Sequence, residues 1–390
     1  MPATLAIIGT VFTEPTERTK AIGVWSAAVG AGTVIGPVVG GRLLDHFWWG
    51  SVFLVNLPIG AAGLVASAIL VPATPAIRGR RLDPVGAALS IAGPALLLWA
   101  LIEGPSEGWT DPLVLGAFAL AAVLIAAFVE WERRAPNPLL SLGILRHRGL
   151  AVGAVLILLC AFAMIGTLFV LVQHLQFNLG YTAAQTGWRL GPMALALLVA
   201  GPVAGVLAQR LGVRYVAAAG LALVAGALTV FATTSPGDGY GRVLVVVVLL
   251  GSGAGFVITA TSDSIVGSLP ERDLGVGSAT NSTAIQFGAA LGVAVTGSLL
   301  AGRYRREIGQ SALEPAQKAA AHDSLGAALA AAEHLPSHAG TALARAARDA
   351  FTAGLGPSMF TGAAIAVVGF VVALVLAPRR TNSDDSGAPS

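Results

Sequence analysis

The sequence predicts an all-α polytopic membrane protein with about ten transmembrane helices. Three observations carry that reading. Only 11% of the 390 residues are charged, while 55% are hydrophobic and 49 are glycine; a soluble domain carries about 25% charge. The 23 Lys and Arg and 20 Asp and Glu are too few to cover a water-facing surface of this length. A soluble enzyme is excluded, and so is a disordered chain, which needs low hydrophobicity and high charge. Secondly, apolar runs recur at lengths that cross ~30 Å of hydrocarbon at ~1.5 Å per residue. Thirdly, those runs are aliphatic throughout, whereas barrel strands alternate in polarity over ~10 residues. A helix satisfies its own backbone in lipid, which offers no partners.

Taken in order, the chain opens on "MPATLAIIGTVF", too short to cross and without the basic start or small-residue cleavage site of a signal peptide. Spans follow at 21–41, 51–72, 84–102, 113–131, 150–173, 188–208, 214–233, 242–262, 277–302 and 357–377. One set of alternating loops holds Arg18, Lys20, Arg78, Arg80, Arg81, Arg133, Arg134, Arg146, Arg148, Arg210, Arg214, Arg272, Arg379 and Arg380. The opposite set, apart from loop 303–350, holds only Arg42, Arg189 and Arg242. The basic-rich set is therefore expected in the cytoplasm, together with a disordered C-terminal tail at 379–390. Loop 303–350 is expected outside, as a short helical hairpin with Leu325, Leu329, Leu335 and Leu343 at helical spacing and a break at Pro336.

Several chemistries find no support. His334 and His338 have metal-ligand spacing, but Pro336 between them spoils the helix that such a pair needs. Cys160, the single cysteine, allows neither an internal disulfide nor a cysteine metal site. The basic residues are scattered singly, so no nucleic-acid partner is expected. A membrane enzyme would need clustered nucleophiles, bases or metal ligands. All six histidines fall instead in loops or at span ends, His174 among them. No nucleotide-binding G-x-x-x-x-G-K-[ST] run occurs.

The first span carries "GAGTVIGPVVGGRLLD". Gly32, Gly36 and Gly40 line one helix face, where glycines let a neighbouring backbone approach closely, and Pro37 removes a hydrogen-bond donor and bends that face. With Gly41 and the following "FWWGSVFLVNLPIG", this stretch resembles the fifth-helix antiporter motif and sixth-helix entry of the major facilitator superfamily. More narrowly, the chain is similar to the fourteen-span drug:proton antiporters. "ERRAPNPLLSLGILRHRG" resembles the loop before their ninth helix, and "LPERDLGVGSATNSTAIQFGAALGVAVTGS" their thirteenth helix. "GVLAQRLGVRYVAAAG" resembles the second copy of their loop motif through Gly205, Leu207, Ala208, Arg210, Gly212 and Arg214, with Gln209 where that motif has an aspartate.

The resemblance implies a major facilitator fold lacking about the first three and a half helices. Residues 1–72 then correspond to a remnant of the N-terminal bundle and 73–149 to a central linker with two extra helices. Residues 150–378 correspond to the C-terminal six-helix bundle. It further implies a multi-pass protein of the cell membrane that exports hydrophobic drugs or small molecules. Protons are the exchanged partner, the proton gradient is the energy source, and no other cofactor is expected. The first- and fourth-helix coupling residues are not in the sequence, so the chain alone is expected to be inactive in export. A non-transporting or regulatory membrane fragment, or an exporter of an endogenous metabolite, is the alternative.

Ionisable groups inside a membrane are costly and functional by default. Glu130 and Asp263 sit at cytoplasmic span ends and Asp45 lies outside. Asp263 is the best carboxylate for gating, and no acid lies mid-span to favour a strongly cationic substrate. Trp25, Asn56, Gln173, Asn281 and Gln286 are the candidate substrate-pathway residues, each with an equally ordinary reading as a helix-packing group. Trp48 and Trp49 read as interfacial anchors.

Overall fold

The computed structural model describes residues 32, 36, 39–70, 83–135, 148–235, 237–267 and 274–377. Among the described residues nine helices are long and apolar enough to cross a membrane. Helix α1 (39–46) and the single turn α2 (Ser51–Leu54) lead into α3 (Asn56–Leu70). Helices α4 (Pro84–Glu107) and α5 (Pro112–Arg134) pack together as an antiparallel pair. Helix α6 (Arg148–Gln173) runs on into a π-turn, His174–Asn178. After it come α7 (Ala183–Leu211), α8 (Val213–Ala232), α9 (Tyr240–Gly267), α10 (Leu274–Gln310), the short α11 (Pro315–Ala321) and α12 (Leu325–Glu333), and α13 (Ser337–Leu376). The expected span 21–41 lies outside the described residues except for Gly32, Gly36 and its last three positions.

Local chemistry starts these helices. Both α4 and α5 open on Asp-Pro: Asp83 accepts from the Gly86 N–H at 2.9 Å, and Asp111 from the Leu113 N–H at 2.8 Å. The proline that follows each gives up a donor that the first turn could not satisfy anyway. Trp131 Nε1 donates to the other Asp83 oxygen at 2.8 Å and clasps the pair at that end. Helix α7 opens with a capping box, in which Thr182 Oγ1 accepts the Gln185 N–H at 3.2 Å and Gln185 Oε1 accepts the Thr182 N–H at 3.3 Å.

Helices α6, α8, α9, α10 and α13 share one core, in which Phe231, Phe351, Leu221 and Leu250 are fully buried. Small residues close its crossings. Gly251 and Gly255, four apart on α9, face α7, where an added Cβ would overlap the Met193 carbonyl or lie 2.8 Å from Ala200. Gly253, on the other side of the same helix, faces the Gly220 carbonyl of α8, 2.6 Å from where a Cβ would sit. Gly288 and Gly292 of α10 press on the Leu158 and Phe162 carbonyls of α6. Lipid supplies no hydrophobic drive between helices, so such close backbone approach is what holds them. Two buried hydroxyls find carbonyls in this core: Thr296 donates to the Gly292 carbonyl at 2.6 Å and Ser358 to the Thr296 carbonyl at 2.8 Å.

The structure corrects two expectations. Segment 303–350 is not a free-standing hairpin: α10 continues to Gln310, α13 begins at Ser337, and only α11 and α12 lie between. The expected break at Pro336 is there: Pro336 is the N-cap of α13, a place where its fixed φ and missing N–H cost little. Leu325 and Leu343 are buried and Leu329 and Leu335 pack on the same core, so the leucine spacing marks a protein-facing stripe. His334 ends one helix and His338 starts the next. The second correction concerns the span expected at 150–173, which continues to Asn178 and carries His174 into the core.

Candidate functional site

The antiporter motif meets α7 through Gly41, at the end of the molecule that carries the 311–336 connection. A Cβ on Gly41 would lie 2.5 Å from both the nitrogen and Cα of Ala184, so only a hydrogen fits. One turn further, Asp45 accepts from Thr182 Oγ1 at 3.5 Å. The start of α7 is itself pinned to the start of α9. The Arg189 guanidinium lies 3.6 Å over the Tyr181 ring and 5.5 Å from that of Tyr240, whose hydroxyl donates to the Arg189 carbonyl at 2.9 Å. Gly40 is looser, with Val52 3.9 Å from an added Cβ. At Gly32 and Gly36 no described atom lies within 4 Å, and Pro37 is outside the described residues. Among the described residues, then, Gly41 makes the tight approach for which the glycine repeat argues.

At the opposite end sits the loop motif. Gly212 joins α7 to α8 with φ +91° and ψ 150°, a backbone region essentially closed to residues with a side chain. Gly205 faces Thr259 of α9 at 3.8 Å from an added Cβ. Arg214 lies 5.8 Å from the Tyr215 ring, with its Nε enclosed and unbonded among the described residues; Arg210 is exposed. Asp263 lies near the end of α9 that returns to this side. Glu130 pairs with Arg134, and with Arg133 at 3.7 Å.

The pathway candidates separate. Gln173 lines a cavity of about 420 Å3 with Phe169, Ser298, Tyr304, Arg305 and Glu103, a size within the ~300–1,000 Å3 of small-molecule sites. Arg305 Nε and Nη1 are enclosed there and make no hydrogen bond among the described residues. Asn281 is half-buried with an unbonded Oδ1. Asn56 is exposed and returns its amide to the Val52 carbonyl at 3.2 Å, and Gln286 is exposed. Trp25 lies outside the described residues. Trp48 and Trp49 are 61% and 71% exposed, as interfacial anchors would be.

Sequence reading passed over the glycines that close the bundle. Their signal was present: "GSGAG" places Gly251 and Gly255 on one face and Gly253 on the other, and Gly288 and Gly292 repeat at four. It also passed over Arg305, Glu103 and Tyr304, which no spacing relates to Gln173.

Comparison with known proteins decides the family. The model for the Major Facilitator Superfamily matches residues 1–293. The chain belongs to the Major Facilitator Superfamily. This member is 34% identical, over its whole length and 73% of that protein, to the tetracenomycin C resistance and export protein of Streptomyces glaucescens. It is 33% identical, over 95% of its length and 74% of that protein, to the multidrug efflux pump LfrA of Mycolicibacterium smegmatis. A bacterial homologue of the human lysosomal transporter Spinster, solved inward-facing and occupied, aligns with 96% of the chain and 72% of its own at a TM-score of 0.54 and 16% identity. That likeness speaks for the fold, a multi-pass membrane protein of major facilitator type.

Proposed function

We propose that this superfamily member serves proton-driven efflux of hydrophobic small molecules across the cell membrane. The Gly41–Ala184 seam closes the outer end, and the Gly212 turn and the C-terminus face the cytoplasm. The close backbone contact between α1 and α7 carries the reading. Alternating access needs two bundles that part and meet around a central site, and a glycine that admits a facing backbone is a surface built to meet and part. Similarity to proteins named for antibiotic export and multidrug efflux supports the direction of transport. The basic residues of the loops beyond α3, α5, α7, α9 and α13 support the orientation.

In this reading residues 1–72 belong to one bundle, 73–149 to a linker pair and 150–378 to the other bundle. The 390-residue chain by itself does not complete the cycle. The most apolar window of Ser51–Ile69 has none of its residues buried, so among the described residues no packed bundle stands behind α3 against which α7 could rock. The test is dye efflux in cells lacking their own exporters, before and after collapse of the proton gradient. The chain as given and a version extended upstream are compared. Gradient-dependent efflux from the extended version alone is expected. The same efflux from the short chain overturns its inactivity, and efflux indifferent to the gradient overturns proton coupling. Transport of neither dye nor drug by either version points to the non-transporting fragment or an exporter of an endogenous metabolite.

A further inference from the structure

His174 is 1% exposed, and its Nε2 has no hydrogen-bond partner among the described residues. It opens the π-turn, in which the Leu179 N–H reaches the His174 carbonyl and the Tyr181 N–H the Leu175 carbonyl, both at 3.0 Å. Such turns interrupt regular helical bonding and recur at functional positions. The ring stands edge-on to Phe231 of α8, with centroids 5.6 Å apart.

The other ring nitrogen is engaged. Asn178 Nδ2 lies 3.3 Å from Nδ1 and also donates to Thr352 Oγ1 of α13 at 3.1 Å. An amide nitrogen only donates, so Nδ1 holds the lone pair and the ring is the neutral Nε2–H tautomer. A second tie runs from Arg348 Nε of α13 to the Phe177 carbonyl at 3.2 Å. Among the described residues, the charged groups recorded at the turn are Asp238, whose charge reaches the ring and which is ion-paired with Arg242 at 3.2 Å, and Arg348. Helices α8 and α12 present Phe231 and Gly326 to it.

We propose that His174 is a proton-binding site that latches this end of the bundle, holding the π-turn on α13 when neutral and releasing it when protonated. The proposal rests on the proton-driven reading above for its place in the transport cycle. The incoming proton bonds to the Nδ1 lone pair, and the ring becomes a cation with two N–H donors. Nδ1–H then confronts the Asn178 amide nitrogen, donor against donor. Asn178 accepts only by turning its Oδ1 to the ring, which removes Nδ2 from Thr352. Thr352 restores the tie only by giving up its own bond to the Arg348 carbonyl at 2.9 Å. A cation enclosed by hydrocarbon is costly as well, so proton and water enter together and the turn opens. In the proposed orientation the turn faces outside, where acid loads it.

The test is amide hydrogen exchange of the full chain in lipid nanodiscs, read on the peptide spanning 174–182 at pH 7.5 and 5.5 and corrected for intrinsic rates. An exposed imidazole is half-loaded near pH ~6.5 while the closed turn takes no proton, so protection of the Leu179 and Tyr181 amides falls about tenfold. His174→Gln keeps its protection at both pH values. Asn178→Asp gives Nδ1–H an acceptor and stays closed at pH 5.5, which keeps the test decisive if the glutamine variant does not fold. Unchanged wild-type protection overturns the latch, and so does acid opening of either variant equal to the wild type. The measurement needs no gradient. Efflux indifferent to the gradient, with the turn still opening in acid, defeats proton coupling and supports the latch.

Discussion

Helices Ser51–Ile69 and Val213–Ala232 have the same mean hydropathy, 2.0, yet none of the apolar window of the first is buried against 61% of the second. Hydropathy therefore decides that a segment enters lipid and says nothing of what it meets there. The difference lies in small residues and where they point. Gly220 of Val213–Ala232 interlocks with Gly253 carbonyl to backbone, whereas Gly60 and Gly63 of α3 have no described atom within 4 Å of an added Cβ. Apolar faces in lipid are not pushed together; they associate where backbones fit.

The largest effect that would break this comparison is a leucine at each kind of glycine. Gly292→Leu drives a side chain into the Phe162 carbonyl and is expected to cost ~3 kcal/mol, the upper end of the range for overpacking. It should abolish the monodisperse peak in fluorescence-detected size exclusion. Gly60→Leu should stay within ~0.5 kcal/mol of the parent. Equal behaviour of the two would mean that the buried crossings do not hold the bundle.

The seam between α1 and α7 lies between these extremes. Asp45→Cys with Thr182→Cys should cross-link readily, because the native side chains are 3.5 Å apart and Cys160 is buried away from competition. Adding Gly41→Leu should reduce the cross-linked fraction several-fold on a gel, since a Cβ alone already strikes Ala184. Gly36→Leu, with no described atom near it, should leave the cross-link unchanged. A loss as large at Gly36 would move the seam up the helix.

How much of this was legible follows from the same physics. Each of the nine described spans lies along an expected one, because hydropathy over ~19 residues is a local property. Asp83-Pro84 and Asp111-Pro112 start their helices by chemistry that is just as local. The extent of α10 was misjudged because Arg303, Arg305 and Arg306 look like a loop to any hydropathy window, while in the fold Tyr304 among them and Ile308 just beyond are buried. The His174 turn was invisible: its burial depends on Phe231 and Thr352, far away in sequence. Gln173 reached a cavity and Asn56 did not, and nothing local separates two polar residues in apolar runs.

A smaller effect is expected at Gly212. Gly212→Ala forces a side chain into the φ +91° turn, at a cost of ~1–3 kcal/mol. It should lower the melting temperature of the bundle by several degrees. Gly205→Ala, where the nearest atom is Thr259 at 3.8 Å from the added Cβ, should be close to neutral. Equal shifts would say that the loop motif is a packing element rather than a backbone requirement.

The smallest effect sharpens the contrast between the 148–376 bundle and the α4–α5 pair. Helices α4 and α5 have only 17% of their apolar windows buried, so their mutual register depends more on polar end-groups than that of α8 does. Asp83 carries two of these: it caps α4 through the Gly86 N–H and receives Trp131 Nε1 from α5. Losing a cap costs ~1 kcal/mol, and Trp131, 39% exposed, recovers much of its lost bond from water. Asp83→Ala should therefore speed amide exchange in the first turn of α4 about fivefold, the equivalent of ~1 kcal/mol, with no change across Val213–Ala232. Trp131→Phe should keep the cap, and with it nearly all the protection of that turn, while weakening the pairing of α4 with α5. If Asp83→Ala instead loosened the six spanning helices within 148–376, the α4–α5 pair would be a supporting wall of the bundle rather than a neighbour held by its ends.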